Sequence, residues 1–416
     1  MKNDNLNIID LFAGCGGLSD GFEKAGGFNS LAFVEWERQP CLTLEKRLAR
    51  RWGYQNAEDI VLHFDMQRTE ELINGWENDD DFGSHRGLRY IVGSKNVNLI
   101  VGGPPCQAYS IAGRVRDEHG MQYDYRNYLF EGYLEIVKHY KPDIFVFENV
   151  EGILSSKPGG IPVTERIKKR IKEIGYKITN NLKRDALLNA ADYGVPQNRR
   201  RVIIIGVNTE KIKSDPEIAL KDFYTNILPS FKVSKPRAVK DALDNLPKIY
   251  PFSPDKMERS KRISHNINGS EVLNHIPRYH NPRDREIFRE LALDKINKTN
   301  KYPNTQSLIE LYYKKTGKKS NFHKYHVLDY ELPSNTIPAH LYKDGLRHIH
   351  PDPEQSRSIT PREAARLQGF DDDFEFLGSM GAQYKMIGNA VPPPLAEKVA
   401  LAIKIFLNKY FDYALH

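Results

Sequence analysis

The chain has 416 residues, 40% hydrophobic and 28% charged, the proportions of a soluble globular protein. No apolar run approaches the ~20 residues that a membrane span needs, and residues 1–7 hold no apolar signal core. Three cysteines, Cys15, Cys41 and Cys106, without C-x-x-C spacing give neither a disulfide framework nor a metal site, so a reduced, cytoplasmic setting is expected.

From residue 6 to residue 207, strand-like runs (7–11, 31–34, 97–101, 144–147, 201–206) alternate with segments of helical apolar spacing (18–25, 41–51, 128–139, 164–174). Such alternation predicts an α/β fold, a doubly wound and mostly parallel sheet with helices on both faces. Strand order does not follow from the pattern. Residues 208–357 break it: they are richer in Pro, Asn, Lys, Tyr and His, with short helices expected at 237–243 and 285–293. Helices at 360–367 and 395–407 close the chain. The expected division is a catalytic domain, 1–207 completed by 358–416, and a smaller irregular domain, 208–357. The net charge is +7, and residues 255–326 alone carry 16 Lys and Arg against 8 Asp and Glu. Positive charge concentrated in this way reads as a footprint for a phosphate backbone.

The sharpest local signal is Gly102-Gly103-Pro104-Pro105-Cys106-Gln107, directly after a β-branched run. Two prolines stop the strand and hold the next residue in one orientation, presenting a thiol at the carboxyl end of a buried strand. Asp10-Leu11-Phe12-Ala13-Gly14-Cys15-Gly16-Gly17 precedes it as a glycine-rich strand-to-helix loop. Glu148-Asn149-Val150, Gln197-Asn198-Arg199-Arg200-Arg201, the run from Pro361 to Phe370 and Gly388-Asn389-Ala390-Val391-Pro392-Pro393 follow it. These six motifs, in this order, resemble the cytosine carbon-5 DNA methyltransferases. The resemblance implies a Rossmann-like methyltransferase sheet, with the second domain as a target-recognition region and the last helix returning to the catalytic domain.

Glycines between a strand and a helix let the backbone approach a ligand and leave helix N–H groups facing it. Glu35, about 20 residues on, stands where an acid takes ribose hydroxyls. Trp36 offers a ring to stack on an adenine, and Asp65 an acceptor for its amino group. The resemblance implies that the cofactor is S-adenosyl-L-methionine, and assigns Phe12, Gly14, Gly16, Glu35, Trp36, Asp65, Met66, Leu129, Asn389 and Val391 as its contacts.

Cytosine carbon-5 is too weak a nucleophile to accept a methyl group until a nucleophile adds at carbon-6. Cys106 is assigned that attack. Glu148, at a strand end in an expected apolar setting, is assigned to N3, and Arg201 to the base's O2. A base in a duplex must leave the stack to reach such a pocket. Residues 107–126 read as a loop over the site. The resemblance implies that Gln107 or its loop neighbours help fill the gap left by the base, and Ser110, Arg114 and Arg116 are expected as backbone contacts. Arg199 is expected on phosphate and Arg200 facing away. Thr336 matches a DNA-facing element of the family, and His340, Tyr342, Lys343, Arg347 and His348 add donors beyond it.

The expected activity is therefore methylation of cytosine carbon-5 in a short specific site of duplex DNA, by a stand-alone bacterial modification enzyme. Double-stranded DNA is the expected partner, a restriction endonuclease acting separately the expected counterpart, and a monomer the expected state. A tRNA cytosine methyltransferase of the same fold is the alternative, weakened by the long stretch after the arginine motif. An inactive nucleic-acid-binding homologue is another, weakened by the presence of Cys106, Glu148 and Arg201.

Overall fold

Leu6, Ile8, Ile9 and Leu11 are all at most 2% exposed, so β1 (Leu6–Leu11) is covered on both faces, as a central parallel strand must be. The structure, a computed structural model, describes residues 5–105, 129–258, 260–267 and 271–415. Its main sheet comprises β1, β2 (Phe28–Glu35), β3 (Val61–His63), β6 (Leu99–Gly102), β7 (Ile144–Val150), β8 (Tyr176–Lys177), β9 (Leu187–Asn189) and β10 (Arg200–Asn208). Two smaller ribbons pair β4 (Trp76–Asp79) with β5 (Gly83–His85), and β11 (Tyr250–Glu258) with β12 (Lys261–Asn266). The order is β3-β2-β1-β6-β7-β10-β8, with β9 also on β10. Pairings from β3 through to β7 are parallel, and those of β10 are antiparallel.

This order has a direct consequence for the site. From β1 the chain moves outward to β2 and β3, then returns to the opposite side of β1 as β6 and continues to β7. With right-handed crossovers, the connections on the two sides lie on opposite faces of the sheet, and a crevice opens beyond the carboxyl ends of β1 and β6. The two glycine-containing motifs leave the sheet at that point.

The described chain divides into two units. The first comprises Met1–Tyr193, Arg200–Ser234 and Ala390–His416; the second comprises Gly194–Arg199 and Lys235–Asn389. These boundaries differ from the expected ones in three places, the first being that Gly194–Arg199 groups with the second unit. Residues 208–234 stay with the sheet because the Tyr224 hydroxyl donates to Ile203 O (2.9 Å) and Phe223 packs edge-on to Phe406. Residues 358–389 belong to the second unit. Arg362, fully buried in helix Pro361–Gln368, donates to the carbonyls of Leu273 (2.8 Å), Asp371 (2.9 Å) and Phe374 (2.6 Å).

Within the first unit, helix Pro393–Tyr410 packs along helix Gly17–Ala25. The helices cross at Gly21, where a Cβ would meet Ala396 Cβ at 2.4 Å and Glu397 N at 2.6 Å. The second unit is more regular than its composition suggested. Helix Pro282–Asn297 starts on an Asn281 cap, and helix Thr305–Thr316, not anticipated from its sparse apolar spacing, starts on an Asn304–Ser307 capping box. Phe288, Leu291 and Leu311 form a core there with Tyr325, Val327 and Ile349. Among the described residues, no helix is long and apolar enough to cross a membrane.

Candidate active site

Three residues in the five after β1 adopt left-handed backbone: Phe12 at φ +60°, Gly14 at +57° and Gly16 at +93°. A non-glycine there is uncommon, and its strain is held by the strand on one side and the helix on the other. The turn aims the Gly14 N–H at the neighbouring strand end, where it donates to Glu35 Oε2 (2.9 Å), while the Glu37 N–H donates to Oε1 (2.8 Å). Burial pushes the Glu35 carboxyl up, and these two amides pull it down. A carboxylate has about four acceptor positions, so Glu35 keeps capacity for a further donor. Trp36 follows with 52% of its surface exposed, so its ring is not committed to the core. Asp65 lies half-buried two residues beyond β3, Met66 is buried, and Leu129 is buried at the start of helix Leu129–Tyr140.

Parallel pairing therefore gathers Phe12, Gly14, Gly16, Glu35, Trp36, Asp65 and Met66 beyond the carboxyl ends of β1, β2 and β3. Val391 is buried in the first unit, and Asn389 is an exposed residue ending helix Met380–Asn389 in the second. Asp10 opens the glycine-rich motif, but the sequence reading gave it no role of its own. It is 2% exposed at the end of β1, where it accepts from the Ser19 hydroxyl, and burial pushes its carboxyl up to about 7. A lone acid inside an otherwise apolar strand was the available signal.

On the other side of the crevice, Gly103 follows β6 where a Cβ would lie 2.7 Å from Glu148 Oε2. Asn149 Nδ2 donates to Pro104 O (3.2 Å), which pins the Gly-Pro segment against the end of β7. Glu148 faces Ile203 across the β7–β10 pair, so Arg201, two residues along, shares its face. Arg201 Nε lies 2.9 Å from Glu148 Oε1, both side chains 11% exposed. The setting of Glu148 is thus not the apolar one expected: a guanidinium faces its carboxylate. Arg200 points to the other face, 56% exposed and 3.2 Å from Glu151.

Cys106, Gln107, Ser110, Arg114 and Arg116 lie outside the described residues. The other two cysteines are buried, and burial pushes both thiols up, which disfavours a thiolate at neutral pH.

Arg199 corrects the phosphate expectation. It is fully buried in the second unit, donating from Nη1 to Ile337 O (2.9 Å) and from Nη2 to Gly388 O (2.8 Å). Gln197 beside it is equally buried, donating to Leu367 O (3.1 Å) and accepting from the Ile337 N–H (2.9 Å). The first half of the arginine motif is thus an internal brace, and only its end reaches the crevice. Thr336 is exposed and donates to Asn198 O (2.7 Å). His348 is 1% exposed and burial lowers its pKa to about 3, so it is no surface donor as expected.

Residues 6–405 match the family described as C-5 cytosine-specific DNA methylase. The type II methyltransferase M.Bpa9945I of Bacillus paralicheniformis is 32% identical over 96% of this chain and 99% of its own. The type II methyltransferase M.DdeI of Desulfomicrobium norvegicum is also 32% identical, over 97% and 89%. Among solved structures, a prophage-encoded E. coli protein described as a DNA modification methyltransferase aligns at TM-score 0.59 and 25% identity, covering 97% of this chain and 99% of that one. The match runs through the glycine loop, the Gly-Pro segment, the Glu148–Arg201 pair and the closing helix alike: this chain belongs to the C-5 cytosine-specific DNA methylase family.

Proposed function

We propose that the protein transfers a methyl group from S-adenosylmethionine to carbon-5 of a cytosine flipped out of a short specific site in duplex DNA. The observation that carries this reading is the Glu148–Arg201 pair, held against Gly103 at the crevice beside β1, three residues before Cys106. A cytosine entering there would meet a carboxyl group at N3 and a guanidinium at the adjacent O2.

Cys106 sulfur would add to carbon-6, moving electron density onto carbon-5 while Glu148 holds a proton at N3 and Arg201 stabilises charge at O2. Loss of the carbon-5 proton after methylation would then expel the thiolate. The crevice suits the cofactor: open backbone at Gly14, two-oxygen display by Glu35, an uncommitted Trp36 ring and the Asp65 acceptor match a ribose, an adenine ring and its amino group. S-adenosylmethionine, when bound, supplies an activated methyl group on a sulfonium. Phe12, Gly16, Met66, Leu129, Asn389 and Val391 complete the proposed contacts.

The second unit is proposed as the target-recognition region, since it holds the segment with surplus positive charge. The type II relatives support a role in modification beside a separate restriction endonuclease. Bisulfite sequencing of DNA from cells expressing the protein tests the reading, with purified duplex DNA and total tRNA compared in vitro. Conversion-resistant cytosines confined to one short sequence are expected. Methylation of tRNA alone would overturn it.

A further inference from the structure

Two-stranded ribbons are marginal on their own, so the β11–β12 ribbon in the second unit must be stabilised from outside. Its base is bolted to both strands. Arg285 donates to Phe252 O (2.7 Å) on β11 and to Ser264 O (3.1 Å) on β12, and pairs with Asp255 at 2.6 Å. His265 Nε2 lies 2.9 Å from Gln355 O, and Ser264 Oγ accepts from the His280 N–H (3.0 Å).

The far half is different in kind. Lys256, Met257, Glu258, Lys261 and Arg262 are all exposed, Met257 at 67%. Cross-strand pairing sets Lys256 against Ile263, Met257 against Arg262 and Glu258 against Lys261. Alternation therefore places Lys256, Glu258 and Lys261 on one face, and Met257 with Arg262 on the other. The Tyr279 hydroxyl donates to Asp255, which is paired with Arg285 (2.6 Å). The face with Lys256, Glu258 and Lys261 carries two ammonium groups and a carboxylate, all exposed, with the Lys256 ammonium 4.3 Å from the Phe252 ring centroid.

Elsewhere in residues 255–326, Arg289, Lys295 and Lys324 pair with acids outside the segment and so offset part of its surplus charge, while Arg283, Lys301 and Lys315 pair with acids inside it. The ribbon is one of the places where positive charge remains available. A major groove of about 12 Å admits a two-stranded ribbon, and ammonium groups donate to guanine O6 and N7 while a carboxylate accepts from cytosine N4.

We propose that this ribbon reads base edges in the major groove of the target duplex, with Lys256 and Lys261 as donors and Glu258 as acceptor, so that the recognised site contains a G·C pair at the ribbon. The inference rests on the duplex-DNA reading above and adds the element that selects the sequence. The ribbon's rigid base supplies the preorganisation, and the exposed Lys256, Glu258 and Lys261 supply the readout.

The test is methylation of a randomised duplex library by the full-length protein and by E258Q and K261Q, read by bisulfite sequencing. Both substitutions are on exposed side chains, so unchanged thermal unfolding is the control for folding. The expected result is that each variant accepts other bases at one position of the wild-type site, its preference for the correct base falling about 5- to 150-fold. Should a variant turn over too slowly to sequence, the same ratio is read from its binding to duplexes with and without the site. A discrete wild-type site that both variants keep at full preference overturns the inference alone. A wild type that modifies no duplex DNA overturns the functional reading, and the inference falls with it.

Discussion

Arg201 Nε sits 2.9 Å from Glu148 Oε1 because antiparallel register brings the start of β10 beside the end of β7. Both side chains are largely buried, so removing one partner takes a charge-assisted contact from the other. E148Q can still hydrogen-bond to N3 but cannot deliver a proton, and its single-turnover rate is expected to fall ~10²-fold or more. R201A is expected to lose ~10²- to 10³-fold through O2. Because the two groups act on one base, the double variant should lose less than the product of the single losses. Fully multiplicative losses would refute a shared role.

Cys106→Ala is expected to abolish methyl transfer and leave S-adenosylmethionine binding nearly unchanged, as measured by calorimetry. Cys15 and Cys41, whose thiols burial pushes up, should tolerate serine with most activity kept. Duplex DNA with 5-fluorocytosine at the target should become covalently attached only when both Cys106 and cofactor are present, since fluorine cannot leave as a cation. Absence of that adduct on a denaturing gel would sink the covalent mechanism.

Two glycines separate catalytic from structural crowding. G103A places a methyl group against the Glu148 carboxylate (2.7 Å), so the expected loss is in rate, with thermal unfolding little changed. G21A instead meets Ala396 Cβ and the Glu397 backbone, which cannot swing away, and should destabilise the first unit by about 1–3 kcal/mol. Wild-type turnover by G103A would argue that Glu148 is not held as described.

R199A is expected to behave as a core mutant. It strands the carbonyls of Ile337 and Gly388, at about 1–3 kcal/mol for a buried unsatisfied group. A residue on phosphate would instead flatten the dependence of log affinity on log salt by ~0.9. Salt-dependent DNA binding by folded R199A, compared with its urea midpoint, decides between them.

Acid should weaken the second unit before the first. Burial lowers His265 and His350 to about 4, His348 to about 3 and His280 to about 2. Unfolded histidines protonate near 6.5, so between that value and about 4 the unfolded chain binds more protons, and stability falls as pH falls. Urea unfolding followed from pH 7 to pH 4 should show this slope, shallower in H350Q. A flat profile across that window would show that these rings are not held neutral by the fold.

Local pattern carried much of the fold. Alternating apolar runs in residues 6–207 implied an α/β sheet, and helices expected at 18–25 and 395–407 are found at Gly17–Ala25 and Pro393–Tyr410. Helical spacing and strand alternation are properties of neighbouring residues, so a single chain displays them directly. The glycine loop is legible for the same reason, since its left-handed turns are set within a few residues. Strand order is different. Only the long-range return of β6 to the free side of β1 makes a crevice between them. Arg199 and Arg201 show the limit most clearly. Two residues apart in the same motif, one is braced by carbonyls of Ile337 and Gly388 and the other meets Glu148. Which partner each arginine finds depends on segments more than 50 residues away, brought near by packing of the whole chain. The residue types of this protein are determined by its sequence, but which of its charges are spent inside and which face the crevice is decided by tertiary burial, because desolvation forces a buried charge to be satisfied by whatever the fold places beside it.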